Sequence, residues 1–240
     1  MFITSKVRKK LFLSRFYHRK KYNFLKPTVK TMLSIFVAVL AKLFSVVNPV
    51  GAIPMYLTLT ASSNKAERNK IALATTLYFV GICLAFFWAG SYILNFFGLQ
   101  INSLRIAGGL IILSSGYALM NDKFAESRAI NSDVQDEAMT KADISFSPLA
   151  MPLLAGPGSI SLLIGFNADY DTWEEGLIVS GVILLNGLIV YGILRSAPLM
   201  NRFLGVSGLK AGSRIMAFIT MSIGVQFIII GIVALVKSLG

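Results

Sequence analysis

Two short stretches of the chain place proline and glycine inside apolar runs. Residues 48–54 read NPVGAIP and residues 152–157 read PLLAGP, with the same proline spacing and with Ala52 matching Ala155. Proline removes a backbone N–H donor and clashes with the preceding turn, while glycine adds a conformational entropy cost in a helix. Each stretch therefore predicts an interrupted helix, whose freed backbone N–H and C=O groups are able to bind the polar groups of a ligand.

The composition of the whole chain indicates where these stretches lie. Of the 240 residues, 55% are hydrophobic and 14% are charged. A soluble domain has a charged fraction of about a quarter, so this chain is too apolar for that class. We therefore expect the chain to lie in a lipid bilayer, and the lipids are predicted to be its binding partners.

Six apolar runs are long enough to cross about 30 Å of hydrocarbon, which requires roughly 20 helical residues. The predicted spans are residues 33–60, 71–96, 104–120, 144–166, 177–194 and 215–236. None of these runs alternates between apolar and polar residues, so each is predicted to be a helix. The predicted fold class is an all-α membrane protein with six transmembrane helices, of which the first and fourth are interrupted.

The spans fall into two similar halves. Besides the matching prolines, RIAG at residues 105–108 resembles RIMA at residues 214–217, near the starts of the third and sixth runs. Three spans per half is an odd number, so the second half is inverted across the membrane, as in many secondary transporters. The predicted organisation is a basic arm at residues 1–31, a three-helix repeat at 32–120, an acidic linker at 121–143 and an inverted three-helix repeat at 144–240.

Positive charge is concentrated at the start of the chain. The formal net charge is +12, and residues 1–31 contain ten Lys and Arg residues and no acidic residue. The remainder is nearly neutral, so no nucleic-acid partner is predicted. The arm either contacts anionic lipid headgroups or is solvated.

The arm and the core predict opposite orientations. Basic residues of the core are concentrated on the side opposite the termini, which places the core termini outside under the positive-inside rule. The charges of residues 1–31 favour the cytoplasm instead. Because Met32 immediately precedes the first span, we expect residues 1–31 to be either a dispensable arm or an extension ahead of the true start.

A chain that starts at Met32 is expected to insert into the membrane as well as the full chain does. Residues 1–31 contain no predicted span, and their charges oppose the orientation of the core. Membrane fractionation of both chains with a C-terminal tag measures insertion. Loss of the shorter chain from the membrane fraction would contradict this expectation.

Residues at the two interruptions are the candidate site residues. Asn48 offers amide donors and an acceptor that either cap a broken helix or contact a ligand, and Ser159 carries the same two alternatives. The positive N-terminal ends of the half-helices after Pro54 and Pro157 suit a carboxylate. The predicted substrate-binding residues are Asn48, Pro49, Gly51, Ala52, Pro54, Pro152, Ala155, Gly156, Pro157, Gly158 and Ser159.

The residue content argues against an enzyme. The one histidine, His18, lies in the basic arm, and the sequence contains no zinc-protease motif and no EF-hand spacing. No catalytic residue, cofactor or metal site is therefore predicted. The six spans also lack Asp and Glu, which leaves Na⁺ and H⁺ open as coupling ions, since backbone carbonyls alone are able to hold Na⁺.

Five stretches of the chain resemble the MarC family of bacterial inner-membrane proteins, which includes the SnatA-like neutral amino acid transporters. They are NPVGAIPMYLTLT from Asn48, AERNK from Ala66, LRIAGGLIIL from Leu104, PLAMPLLAGPGSIS from Pro148 and RIMAFI from Arg214. The resemblance extends over about residues 32–240. It implies six spans, a pseudo-twofold repeat, a multi-pass location in the inner membrane and transport of small neutral amino acids such as glycine or alanine.

Other functions remain as alternatives to amino acid transport by alternating access. A channel or an exporter for another small polar solute is compatible with broken helices that line a pathway. A membrane protein without transport activity is the third alternative, although such a protein would not need two matched interruptions. Under each transport hypothesis the partner is a small-molecule solute.

Overall fold

The computed structural model describes residues 29–121 and 144–239, and every regular element within these ranges is helical. The elements are α1 (Val29–Val47), α2 (Pro49–Leu59), α3 (Lys65–Phe96), α4 (Ile101–Met120), an irregular helical segment (Ser145–Leu154), α5 (Pro157–Asp169) and α6 (Trp173–Leu239). Residues 1–28 of the predicted arm and residues 122–143 of the predicted linker lie outside the described residues.

Several of these helices are able to cross a membrane. Four helical stretches are long and apolar enough, namely Met32–Leu59, Lys65–Phe96, Ile101–Met120 and Trp173–Lys237. The irregular segment and α5 meet the same criterion together, although the helical path bends by 65° at the break between them. The described residues therefore contain four candidate spans, or five when the bent pair counts as one. An all-helical membrane protein is thus confirmed.

The last helix differs from the sequence prediction. The predicted fifth and sixth spans, residues 177–194 and 215–236, lie in the single stretch α6, which is non-helical at Gly205. At Gly205 φ is 63° and ψ is 179°, a conformation that glycine adopts without the steric penalty of a side chain. The basic residues between the two runs are therefore helical on either side of Gly205, namely Arg195, Arg202, Lys210 and Arg214.

Capping explains why α3 begins ahead of its predicted apolar run. The Asn64 Oδ1 atom accepts hydrogen bonds from the N–H groups of Ala66 and Glu67 at 2.9 and 3.0 Å. The Glu67 carboxylate accepts one from the Asn64 N–H group at 2.9 Å. This reciprocal capping box satisfies helix-terminal donors and extends α3 with a polar first turn.

The interior of the helix bundle and its outer surface are both apolar. The largest fully buried side chains include Tyr56, Phe79, Phe87 and Phe166, which come from α2, α3 and α5. On the outside, Tyr92, Leu188 and Phe203 are 77%, 67% and 79% exposed. Large apolar side chains over so much of the surface suit contact with lipid, whereas in water they would favour association.

Glycines bring α4 into backbone contact with the second part of α6, residues 206–239. A Cβ atom added to Gly224 would lie 2.7 Å from the backbone nitrogen of Leu113 and 2.8 Å from the backbone oxygen of Gly109. A Cβ atom on Gly116 would lie 2.9 Å from the backbone oxygen of Ala217. Residue numbers rise along one helix as they fall along the other, so the two helices are antiparallel. Small residues permit this close approach between membrane helices.

Candidate functional site

The first interruption is centred on Asn48, between α1 and α2. Asn48 has φ 46° and ψ 65°, and within the described ranges it is the one residue other than glycine with a positive φ. Asparagine tolerates this left-handed conformation better than most residues. Its Oδ1 atom accepts a hydrogen bond from the Gly51 N–H group at 3.2 Å, so Asn48 caps α2.

The other polar atom of Asn48 has no partner. The residue is 2% exposed, and its Nδ2 group makes no hydrogen bond to any residue in the described part of the chain. A Cβ atom added to Gly51 would lie 2.6 Å from this Nδ2 atom and 3.3 Å from the Ser213 Oγ atom of α6. The absence of a side chain at Gly51 therefore leaves room for the amide donor of Asn48 next to Ser213.

The start of α2 differs from the prediction of a half-helix after Pro54. The helix begins at Pro49, and Pro54 lies inside it with an exposed side chain. Pro49 suits the first helical position because the N–H group that proline lacks has no helical partner there. The left-handed conformation of Asn48 thus sets the interruption one helical turn or more before Pro54.

The second interruption joins the irregular segment to α5. Ser147 and Met151 have extended backbone conformations inside the irregular segment, and each precedes a proline, which disfavours the α-helical conformation of the preceding residue. Ala155 and Gly156 are also non-helical, with ψ angles of 65° and 173°. The helix α5 then begins at Pro157, as the sequence predicts.

The serine after this interruption does not act as an N-cap. Ser159 lies inside α5, and its Oγ atom donates to the backbone oxygen of Gly156 at 2.9 Å, with a longer contact of 3.3 Å to that of Leu154. The N-cap position is occupied by Gly156, which makes no side-chain cap. The hydroxyl of Ser159 therefore adds a second hydrogen bond to the Gly156 carbonyl, which also accepts one from the Ile160 N–H group at 3.1 Å.

The predicted site residues divide by the direction in which they face. Those buried inside the bundle are Asn48, Pro49, Ala52, Ala155, Gly156, Gly158 and Ser159, and Gly51 is half-buried. Those exposed on the outside are Pro54, Pro152 and Pro157. These exposed prolines do not face the interior, so an interior ligand would contact the buried group.

The two interruptions approach each other across α4. A Cβ atom added to Gly158 would lie 3.2 Å from the Cγ1 atom of Ile112 and 3.7 Å from the Cγ1 atom of Val46. Val46 belongs to the last turn of α1 before Asn48, and Gly158 to the first turn of α5. The tertiary structure therefore brings together the two stretches that share a sequence pattern.

Two residues of α6 near the first interruption were missed in the sequence. Thr220 is buried, and its Oγ1 atom donates to the backbone oxygen of Ser45 at 2.8 Å, one turn before Asn48. Ser213 lies beside Gly51, as described above. Both are polar residues in or next to the sixth apolar run, which is the only signal that the sequence carried for them.

Charged groups lie toward the end of the bundle where α5 ends and α6 begins. Arg105 of α4 is buried and forms a salt bridge with Asp169 at the end of α5. Burial raises the pKa of Tyr170, and the Asp169 and Glu175 carboxylates act in the same direction. The Nζ atom of Lys42 lies 5.9 Å from the centroid of the Phe166 ring, a cation–π geometry.

The apolar outer surface, the long helices and the bent helix pair define a class of protein, namely integral membrane proteins that cross the bilayer several times. Within that class, the sequence profile of the MarC family of integral membrane proteins matches residues 33–236. The chain belongs to the MarC family. Its location is therefore the inner membrane, with several passes.

Named relatives agree with this assignment. The chain is 37% identical over 206 residues to a UPF0056 membrane protein of Buchnera aphidicola subsp. Schizaphis graminum, covering 86% of this chain and 95% of the relative. It is 34% identical over 224 residues to the UPF0056 inner membrane protein MarC of Escherichia coli K12, covering 86% and 99%. The corresponding Citrobacter koseri protein is 33% identical over 221 residues, covering 86% and 99%. No solved structure matches the chain.

Proposed function

We propose that this protein is a secondary transporter of small neutral amino acids such as glycine or alanine, which works by alternating access around the two interruptions. The observation that carries the proposal is the buried Nδ2 donor of Asn48, which has no partner among the described residues. Such a donor destabilises a protein by about 1–3 kcal/mol. The carboxylate of a bound amino acid would satisfy it.

The fold proposed for this mechanism has six spans in two inverted halves. The stretch Trp173–Lys237 contains 65 residues, whereas about 20 residues cross a bilayer, so α6 has the length for two spans that meet at Gly205. The antiparallel contact of α4 with residues 206–239 would then pair the third span of each half. This arrangement is the one expected about a pseudo-twofold axis in the membrane plane.

The proposed site selects solutes by size and charge. A Cβ atom added to Gly51 would lie 2.6 Å from the Asn48 Nδ2 atom, and one added to Gly158 would lie 3.2 Å from the Ile112 Cγ1 atom. The space beside both glycines is therefore narrow, which favours a small ligand. Residues 45–51 and 154–159 contain no charged side chain, and burial of a net charge without a partner is costly. A zwitterion without net charge therefore fits better than lysine or glutamate.

Uptake into proteoliposomes tests this function. Labelled glycine and alanine are expected to enter, and unlabelled amino acid on the opposite side is expected to accelerate their exchange. Larger or charged amino acids should exchange more slowly. Exchange of no amino acid would show that the proposed substrate is wrong, and uptake without trans-stimulation would favour a channel.

Replacement of Asn48 by glycine is expected to lower glycine uptake about tenfold, which corresponds to about 1.4 kcal/mol. Glycine adopts a positive φ readily and costs only a few tenths of a kcal/mol at an N-cap, so the variant should fold while it lacks the Nδ2 donor. Initial uptake rates are normalised to the protein in each membrane.

The matched control for this variant is Asn64→Gly. Asn64 is also an N-cap, but it is exposed and begins α3 outside the interruptions. We expect Asn64→Gly to leave uptake near the wild-type rate. Equal losses in the two variants would assign the effect of Asn48 to capping alone.

A further inference from the structure

A cavity separate from the interruptions opens where α3 ends, α4 begins and α5 ends. Its volume is about 470 Å³, within the size range of small-molecule sites. Its lining includes Ser91 and Asn95 of α3, Gln100 before α4, Asn102 of α4 and Asn167 of α5. None of the residues predicted to bind substrate lines this cavity.

The polar side chains of this cavity have hydrogen-bonding capacity to spare. The Ser91 Oγ atom donates to the Asn167 Oδ1 atom at 2.5 Å, which links α3 to α5 across the cavity. The side chains of Asn95, Gln100 and Asn102 make no hydrogen bond to another residue of the described ranges. A primary amide offers both donors and an acceptor, so the three side chains could bind a solute that carries both kinds of group.

The cavity is lined without any charged side chain. The nearest ion pair on the same helices is Arg105 with Asp169: Arg105 lies one turn from the lining residue Asn102, and Asp169 follows the lining residue Ala168. Because these two charges bind each other, the cavity offers no unpaired charge to a ligand with a net charge.

The cavity also lies at an end of the bundle rather than in its middle. Only residues 97–100 connect α3 to α4 at this point, and Leu99 in that connection lines the cavity and is 53% exposed. A solute is therefore able to reach it from the aqueous phase on the side where α5 ends.

We propose that this cavity is a second binding site, specific for small polar solutes without net charge, on the membrane side where α5 ends and α6 begins. The amides of Asn95, Gln100 and Asn102 bind the donors and acceptors of the solute. The ion pair between Arg105 and Asp169 lies outside the lining, and its two charges bind each other rather than a solute. The site stands on the cavity itself, so it does not require that the protein transports its ligand.

Protection of a cysteine from a thiol reagent tests the site in the full chain reconstituted into liposomes. Leu99→Cys places a thiol on the cavity without removal of an amide, and the native Cys83 is fully buried. Glycine and urea are the probes, with lysine and glutamate as charged comparisons. We expect glycine and urea to slow labelling about threefold at a concentration of twice the dissociation constant, and lysine and glutamate to have little effect.

Leu204→Cys is the matched control for this measurement. Leu204 is 51% exposed, almost as much as Leu99, and lies in α6 next to Gly205 at the other end of the bundle. Its labelling rate should not respond to any probe. In a second variant, Asn102→Leu added to Leu99→Cys should abolish the protection by glycine and urea.

The outcomes separate this site from the proposed transport function. Protection without amino acid exchange would support the cavity and contradict the transport proposal. Exchange without protection would do the reverse. The site is wrong if no probe slows the labelling of Leu99→Cys, if lysine and glutamate protect as well as glycine, or if Leu204→Cys is protected to the same extent.

Discussion

Replacement of Gly51 by valine is expected to reduce uptake of labelled glycine at least about tenfold, a change of about 1.4 kcal/mol or more, while the protein remains in the membrane. The Cβ atom alone would lie 2.6 Å from the Asn48 Nδ2 atom and 3.1 Å from the Asn48 Cγ atom, and the nearest atom of another side chain, the Ser213 Oγ, would be 3.3 Å away. The amide of Asn48 is the flexible end of a side chain, so it can move. The space beside it is then filled by the valine methyl groups, and the donor is no longer available to a carboxylate.

The control for this variant is another glycine-to-valine substitution, at a position where an added Cβ atom would contact no other residue. Gly81 lies in the middle of α3, and a Cβ atom there would meet no atom within 4 Å. Gly81→Val adds the same β-branched side chain to a membrane helix. Uptake normalised to membrane abundance should be near wild type in Gly81→Val. If both variants lose uptake equally, or if Gly51→Val keeps it, the first interruption is not part of the solute pathway.

The second large effect concerns stability, and we expect Gly108→Ala to lower it by about 1–3 kcal/mol. A Cβ atom on Gly108 would lie 1.7 Å from the Ser161 Oγ atom and 2.5 Å from the Ser161 Cβ atom. Rotation of the serine hydroxyl relieves the first overlap but not the second, because the Cβ atom moves only with the backbone. The helices α4 and α5 would have to separate.

Two further variants make this prediction specific. Gly192→Ala should instead stabilise the protein by about 0.5–1 kcal/mol, since a Cβ atom there has open space and alanine favours the helix. Ser161→Gly combined with Gly108→Ala should restore most of the lost stability, because the nearest remaining atom of residue 161, its Cα, would be 3.9 Å away. The stability of all three variants is measured by thermal unfolding in detergent, with size-exclusion chromatography as the readout of folded protein. Equal stability of Gly108→Ala and Gly192→Ala would contradict the observed contact of α4 with α5.

Local sequence determined the membrane environment and the positions of the interruptions. Apolar runs of sufficient length predict spanning helices because a bilayer leaves the backbone no other partners for its hydrogen bonds. Asn48 and Pro157 could be placed in the interrupted stretches because proline and glycine act on their own turn of the helix. These properties depend on a few neighbouring residues. The second half-helix begins at Pro157 as the sequence predicts, whereas the first begins at Pro49 rather than after Pro54.

Only the tertiary structure decided what the interruptions contact. Three features depend on how separate helices pack. They are the positions of Ser213 and Thr220 beside the first interruption, the salt bridge of Arg105 with Asp169, and the helical path on both sides of Gly205. The hydropathy of an apolar helix does not determine which face it turns toward its neighbours or which helix it packs against, because lipid tails are as apolar as the helices themselves. Close contact between small residues, such as Gly109 with Gly224, selects one of these arrangements, and that contact exists only after both helices are in place.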